Sequence, residues 1–221
     1  MIRITTFIIS FLILTQANAI QSNQDGIVAN LIETDVREFG DKNRVVTRRE
    51  ARFVRSDDGK VRIDFADHIQ IIDPTTSTSY SLDRQARTFL EVNPSDSISE
   101  FIARDEGSDS ALSERLASIP TSTRPAKVMD LGSRIVNGVE CNGQRISNEV
   151  PVGVVGNQES FWVEAEIWKT DEFGEPLTVL MIVRNPLSGV TRHELQNIRR
   201  SVVTDDQFTP SKAYRRINPS R

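Results

Sequence analysis

Hydrophobic and polar positions alternate with a period of two through most of this chain, the pattern of β-strands with one buried face. Val61, Ile63 and Phe65 alternate with Arg62 and Asp64. The run Val45 to Val54, rich in Val, Thr, Arg and Phe, meets them across Ser56-Asp57-Asp58-Gly59-Lys60. An Asp-Gly between two such runs predicts a hairpin. Ile69 to Ile72 ends at Asp73-Pro74, and Ser79 to Leu82 ends at Asp83-Arg84, both turn openers. Further along, Arg134 to Cys141 and Gly143 to Val150 read as two strands turning at Asn142-Gly143. Phe161, Val163, Ala165 and Ile167 define one face of the next strand, with Trp162, Glu164, Glu166 and Trp168 on the other. Leu177 to Arg184 is apolar on both faces until Arg184, as a covered central strand is. Gly174-Glu175-Pro176 precedes it, and Pro186 to Gly189 separates it from Val190 to Ile198. Turn signals this frequent predict an antiparallel meander rather than βαβ units.

Two segments break the rhythm and predict helices. Ser97 to Arg104 offers a cap at Ser97 with Glu100 three residues on, and Ile98, Phe101 and Ile102 share a face. Ser110 to Ser118 places Leu112, Leu116 and Ile119 on one stripe that Pro120 ends. Pro120 to Pro125 is a polar linker. Between Ser22 and Glu33, the residues Ile27, Val28, Leu31 and Ile32 fit a short N-terminal helix or a first strand equally well. The basic, Pro-punctuated tail after Phe208 is expected to fray.

The first residues follow a different logic. Arg3 is the only charge before Ala19, Phe7 to Leu14 is apolar apart from Ser10, and Ala17-Asn18-Ala19 closes the segment. A short basic end, an apolar core and small residues at a cut site make a secretory signal peptide. The apolar core is shorter than the roughly 20 residues a bilayer span needs. Cleavage after Ala19 leaves Ile20 first, in place of the cysteine that lipid attachment requires. No later apolar run is long enough for an anchor. A periplasmic or secreted soluble protein with no membrane span is expected.

Charge then narrows the partners. The whole chain carries a formal net charge of −4, and loss of Arg3 makes it more acidic still. There is no basic footprint for nucleic acid and no polybasic cluster for anionic lipid headgroups. Two histidines and one cysteine leave little for a metal site, and no cofactor motif is present. Cys141, flanked by Glu140 and Asn142, lacks the basic neighbour that would make a reactive thiolate. Glu164 and Glu166 project from one strand face, as paired acid and base carboxylates would, although such glutamates commonly form a solvated face. His193 with Glu194, and His68 with Asp67, are adjacent in sequence, and adjacent strand residues point to opposite faces. No catalytic residue is assigned, and the chain reads as a protein that is not an enzyme.

At Leu131 to Ile198 the residues become specific. Leu131-Gly132, Ile135, Gly138-Val139, Gly143, Arg145, Pro151, Gly153, Gly156-Asn157 and Glu166-x-Trp168 are followed by Gly189, Thr191, Leu195, Asn197 and Ile198. Phe208, Pro210 and Tyr214 close the pattern, while Asp73-Pro74, Ser79-Tyr80-x-Leu82-Asp83 and Ala86-Arg87-Thr88 precede it. This set resembles a group of uncharacterised secreted bacterial proteins found in Acidobacteria-like genomes. The group is similar in layout to the periplasmic lipoprotein-carrier superfamily. The resemblance spans Ile69 to Leu90 and Leu131 to Tyr214 and transfers no functional residues. It implies a strongly curved antiparallel sheet, an incomplete barrel whose mouth is lidded by short helices, and an apolar ligand such as an acyl chain.

The resulting expectation is a mainly β (α+β) fold, with two or three short helices covering the concave side of the sheet. A signal peptide occupies residues 1–19, and a single curved-sheet domain residues 20–214, with a helical lid insertion at about 95–120. Residues 215–221 form a flexible tail. Phe101, Ile102, Leu112 and Leu116 are the candidates to face a hollow, although stripes of this kind also complete a dry core. Trp162 and Trp168 are the candidates for a contact patch, although large aromatics on strands also cover a neighbouring loop. Two functions follow. One is an exported carrier for a lipid or a lipoprotein's acyl chain. The other is a structural or interaction module for a cell-envelope protein, with a filled core and no ligand.

Overall fold

A computed structural model describes residues 23–40, 43–92 and 126–218. The period-two runs become the strands β1 (Asn23–Glu38), β2 (Arg44–Ser56), β3 (Val61–Asp64), β4 (His68–Asp73), β5 (Thr78–Asp83) and β6 (Thr88–Val92). They continue as β7 (Lys127–Val136), β8 (Val139–Val150), β9 (Phe161–Thr170), β10 (Leu177–Asn185), β11 (Gly189–Thr204) and β12 (Arg215–Arg216). All twelve belong to one open, curved sheet in the order β12-β6-β5-β4-β3-β2-β1-β11-β10-β9-β8-β7. Two antiparallel meanders, β1 to β6 and β7 to β11, are joined where β1 pairs with β11. Consecutive in the described chain, β6 and β7 thus lie near opposite ends of the strand order.

Hydrogen bonds between strands that are not neighbours show how far the sheet coils. The Asn137 side chain, in the β7–β8 turn, donates to the Leu195 carbonyl of β11 at 2.8 Å. Arg55 of β2 donates to the Pro176 carbonyl of the β9–β10 turn at 2.7 Å. Strand twist of fixed hand, accumulated over many strands, brings these turns back onto the sheet.

Register assigns the faces. Phe53 lies opposite Ala29 and Ile63, and Leu31 opposite Ala51 and Leu195. Ile167 lies opposite Met181 and Gln144, and Ala165 opposite Val183 and Ile146. One face, called here the Phe53 face, thus holds two apolar clusters, one centred on Leu31, Phe53 and Ile63 and one on Ile146, Ala165 and Ile167. On the opposite Trp168 face, Val28, Val54, Ile69, Ile71 and Leu82 are covered by Phe208 and Tyr214. Trp168, Leu180, Ile182 and Cys141 form a further cluster there.

Several sequence expectations change. Among the described residues there is no α-helix, only a 3₁₀ turn at Asp205–Phe208, in place of the two or three short helices expected over the sheet. The segments Ser97 to Arg104 and Ser110 to Ser118, with Phe101, Ile102, Leu112 and Leu116, lie outside the described residues, as does the leader. The N-terminal apolar stretch is β1, not a helix. Ile27, Ala29 and Leu31 are buried on one face, and Val28 and Ile32 on the other, because β1 is a central strand between β2 and β11. Two covered faces give consecutive apolar residues, which imitate helical spacing.

The turn assigned to Asn142-Gly143 is at the earlier Asn137-Gly138, where φ is 50° and 91°. Two successive positive φ values are what a tight type I′ hairpin requires, and Asn-Gly accepts them. Asn142 and Gly143 lie inside β8, opposite Ser133 and Gly132. Within the segment expected as a tail, Arg215 and Arg216 pair in parallel with Thr88 and Phe89.

Candidate functional site

Beyond Val36, where its pairing with β11 ends, β1 continues with β2 as a short two-stranded ribbon, and Arg44 to Glu50 of β2 are all exposed. The ribbon's end (Arg37, Glu38, Phe39), the β10–β11 turn (Asn185 to Val190) and Trp162, Glu164 and Arg184 together line a groove of about 830 Å³. Their meeting follows from register: Val190 pairs with both Val36 and Arg184, and Arg184 pairs with Glu164. The walls are amphipathic. Phe39 is 52% exposed, Leu187 63% and Trp162 36%, so three large apolar side chains face solvent within one depression. Lys127 Nζ sits 4.3 Å from the centroid of the Trp162 ring, a cation–π contact at the margin.

Trp162 and Trp168 do share a face, as alternation along β9 dictates, but only Trp162 is available to a ligand. Trp168 is buried. Its indole N–H donates to Glu166 Oε1 at 2.8 Å, and Arg134 stacks 3.7 Å from its ring centroid. Beneath it lies Gly143, where an added Cβ would stand 2.5 Å from the ring carbon Cζ3. Trp168 is therefore a packing element clamped from both sides.

Glu166 anchors that clamp. Arg134 Nη2 lies 3.6 Å and Arg145 Nη2 3.4 Å from its carboxylate, and Arg184 Nη1 lies 3.6 Å away. Burial pushes the Glu166 carboxyl upward. The Trp168 and Arg145 hydrogen bonds and the Arg184 and Arg134 charges outweigh burial and hold it below the ordinary carboxylate value. A carboxylate held ionised by a hydrogen bond and three guanidiniums is poorly suited to giving or taking protons. Glu164, on the same face, accepts from the Ser147 hydroxyl at 3.2 Å. The pair reads as structure.

The remaining candidates are placed as follows. His68 does engage Asp67, Nδ1 to Oδ1 at 2.7 Å, contrary to the alternation argument, because Asp67 lies in the β3–β4 turn and not in a strand. The His68 ring holds the exposed Asp67 carboxyl below its usual value and stacks on Phe65 at 4.4 Å. His193 does not cooperate with Glu194, which pairs with Arg192. Instead His193 Nδ1 is buried 3.3 Å from Glu33 Oε1, while Arg49 holds Glu33 Oε2 at 2.7 Å. Cys141 is buried, and burial together with the Glu172 charge pushes its thiol up to about 11. Among the described residues no group of three or more His, Cys, Asp or Glu side chains is arranged to hold a metal, and no helix is long and apolar enough to cross a membrane.

The sequence reading missed Phe39, Leu187, Arg37 and Arg184. A leucine at the second position of the Pro186 to Gly189 turn was the available signal, since turn positions are usually polar. The other three required knowing that β1 pairs with β11.

No family model matches the chain, and no curated protein matches its sequence. Among solved structures it is similar to a DUF1329 family protein from Desulfovibrio piger, with 12% identity over 85% of this chain and 90% of that one and a TM-score of 0.42. It is also similar to a LolA superfamily protein from Nitrosomonas europaea, at 8% identity over 86% and 90% of the two chains and a TM-score of 0.38. The Mycobacterium tuberculosis lipoprotein LppX is matched at 13% identity over 80% and 86%, with a TM-score of 0.28.

Proposed function

We propose that this is an exported, non-enzymatic carrier-type protein that shelters an apolar ligand, such as a lipid or a lipoprotein's acyl chain. The observation that carries the reading is the groove: about 830 Å³, walled by Phe39, Trp162, Pro186, Leu187 and Val190 where β1, β9, β10 and β11 come together. A volume of this size suits a small amphiphile, and pockets of this kind bind through apolar walls with a few polar fixtures. The driving force would be removal of apolar surface from water, worth about 25 cal/mol per Å². The Met1–Ala19 leader would deliver the chain to the periplasm or beyond. Phe101, Ile102, Leu112 and Leu116 are proposed as further ligand contacts. Native mass spectrometry of protein purified from its own envelope fraction is expected to show a lipid-sized mass on the chain. A bare chain, together with failure of delipidated protein to take up a fluorescent fatty acid, would sink the proposal. Trp162→Ala is expected to weaken uptake severalfold while the protein stays folded, the ring being partly exposed.

A second reading, an envelope interaction module, has its own observation. Among the described residues, edge strand β7 pairs on one side only, and it exposes Val128, Met129 and Ile135. An exposed apolar edge is a template for strand addition by a partner. Ile135→Lys abolishing capture of an envelope protein while lipid uptake persists would favour this module over the carrier.

A further inference from the structure

We infer that the groove takes an amphiphile whose headgroup is an anion, seated against the guanidinium groups of Arg184 and Arg37. This rests on the apolar-ligand reading and names the ligand's polar end. The first observation is a surplus of positive charge behind the groove wall. Three guanidiniums, from Arg134, Arg145 and Arg184, share the single carboxylate of Glu166, and none comes closer than 3.4 Å. A saturated guanidinium–carboxylate pair closes to about 2.7–2.9 Å, usually with two parallel hydrogen bonds. These arginines hold one carboxylate loosely and have donors to spare.

The second observation is where those donors are. Arg184 Nη1 and Arg145 Nε make no hydrogen bond among the described residues, and while Nη1 is turned to Glu166 the Arg184 side chain as a whole stays 43% exposed to the groove that it lines. A buried polar group without an acceptor is costly, and a native protein keeps one chiefly where something else supplies the acceptor. Arg184 also lines the groove, cross-strand from Glu164 and on the same sheet face as Trp162. At the ribbon end of the same groove stands Arg37, exposed and without an ion pair among the described residues. Lys127 adds a third cation at the Trp162 margin.

Two carboxylates oppose them within the groove, Glu38 and Glu164, and Glu164 already accepts the Ser147 hydroxyl. The groove's own lining is therefore balanced, Arg37 and Arg184 against Glu38 and Glu164, and Lys127 over the Trp162 ring tips its margin positive on a chain whose formal charge is −4. An acyl chain along Phe39, Trp162 and Leu187 would bring its headgroup to the arginines. A headgroup with two acceptor oxygens would satisfy the fork of Arg184, which water or a hydroxyl matches less well.

The test compares two ligands that differ only at the headgroup, oleate and oleyl alcohol, at concentrations where both are monomeric. Titration of the exported chain is expected to show oleate binding about tenfold more tightly or better, the range of a charge-assisted hydrogen bond. Arg184→Gln and Arg37→Gln should each erase most of that preference, weakening oleate far more than the alcohol. Arg37→Gln touches an exposed ribbon end, so its outcome stands even if Arg184→Gln fails to fold. Added salt should shrink the preference, since Arg37 is open to solvent. Equal binding of acid and alcohol by the unaltered chain overturns the anionic headgroup and leaves the carrier reading in place. A preference that survives both substitutions overturns the site. If neither compound binds, the carrier reading falls first and this inference with it.

Discussion

Cys141 and Glu166 lie within one strand pair of each other, and their environments push their chemistry in opposite directions. The Cys141 thiol, 1% exposed and near Glu172, is driven up to about 11 by burial first and by that charge second. Its thiolate is therefore scarce at any physiological pH. Native protein at pH 8 is expected to resist a thiol reagent and to become labelled only on unfolding; rapid modification of folded protein would contradict this. Glu166 is the reverse case, a buried carboxylate kept ionised by donors on three other strands. Its folded-state value lies below the unfolded one, so its stabilisation is complete above the unfolded value and is lost as pH falls through the folded one. Glu166→Gln is expected to cost about 2 kcal/mol near neutrality, the cost of stranding charged donors. In urea melts the gap from the unaltered protein should close below about pH 4. An unchanged gap at low pH would mean that another group holds the arginines. The lack of a basic sequence neighbour pointed to an inert Cys141, but the causes, burial and the Glu172 charge, come from the fold. The grip on Glu166 was not legible in the sequence, because Arg134, Arg145 and Arg184 come from three different strands and only the register of β7 to β10 assembles them.

The hairpin of β7 and β8 shows what local pattern decides and what it leaves open. Two Asn-Gly pairs stand five residues apart, and both satisfy the dipeptide rule. The choice between them is made by Trp168 on the neighbouring strand β9. Its ring needs a residue without a side chain opposite, and Gly143 is that residue. Gly138, in the turn, has open space around an added Cβ, but its φ of 91° penalises any other residue. The two glycines therefore separate two costs. Gly138→Ala should lose about 1 kcal/mol through backbone strain alone. Gly143→Ala should lose more, about 1–3 kcal/mol, and should also alter the tryptophan near-ultraviolet circular dichroism, because the clamped ring has to move. If Gly143→Ala proves the milder change, the placement of Trp168 over that glycine is wrong. The alternation along β9, by contrast, was readable outright. A strand with one apolar and one polar face declares itself, while β1, covered on both faces, imitates a helix.

At the scale of the molecule, the strand pairing that decides everything is the least visible in sequence. Each meander follows from local turns, but the seam between them joins β1 to β11, with Asn23 opposite Thr204. No short-range pattern reports a pairing across nearly the whole chain, and this seam also positions Val190 and Arg37 at the groove. Its consequence is cooperativity. The Leu31 cluster takes Ala51, Phe53 and Ile63 from the first meander and Leu177 and Leu195 from the second, so neither half keeps a complete core alone. The chain's aromatic residues make this measurable. Both tryptophans, Trp162 and Trp168, lie in β9 of the second meander. The two tyrosines, Tyr80 and Tyr214, pack together against the first. Tryptophan fluorescence and tyrosine absorbance should therefore report the same denaturant midpoint. Leu31→Ala, at a position with no exposure opposite Ala51 and Leu195, should cost about 3 kcal/mol and move both midpoints by the same amount. Midpoints that separate, with the tyrosine signal shifting and the tryptophan signal fixed, would show two independently folding halves. The groove would then be a cleft between hinged units, where the seam as described makes it a preformed wall.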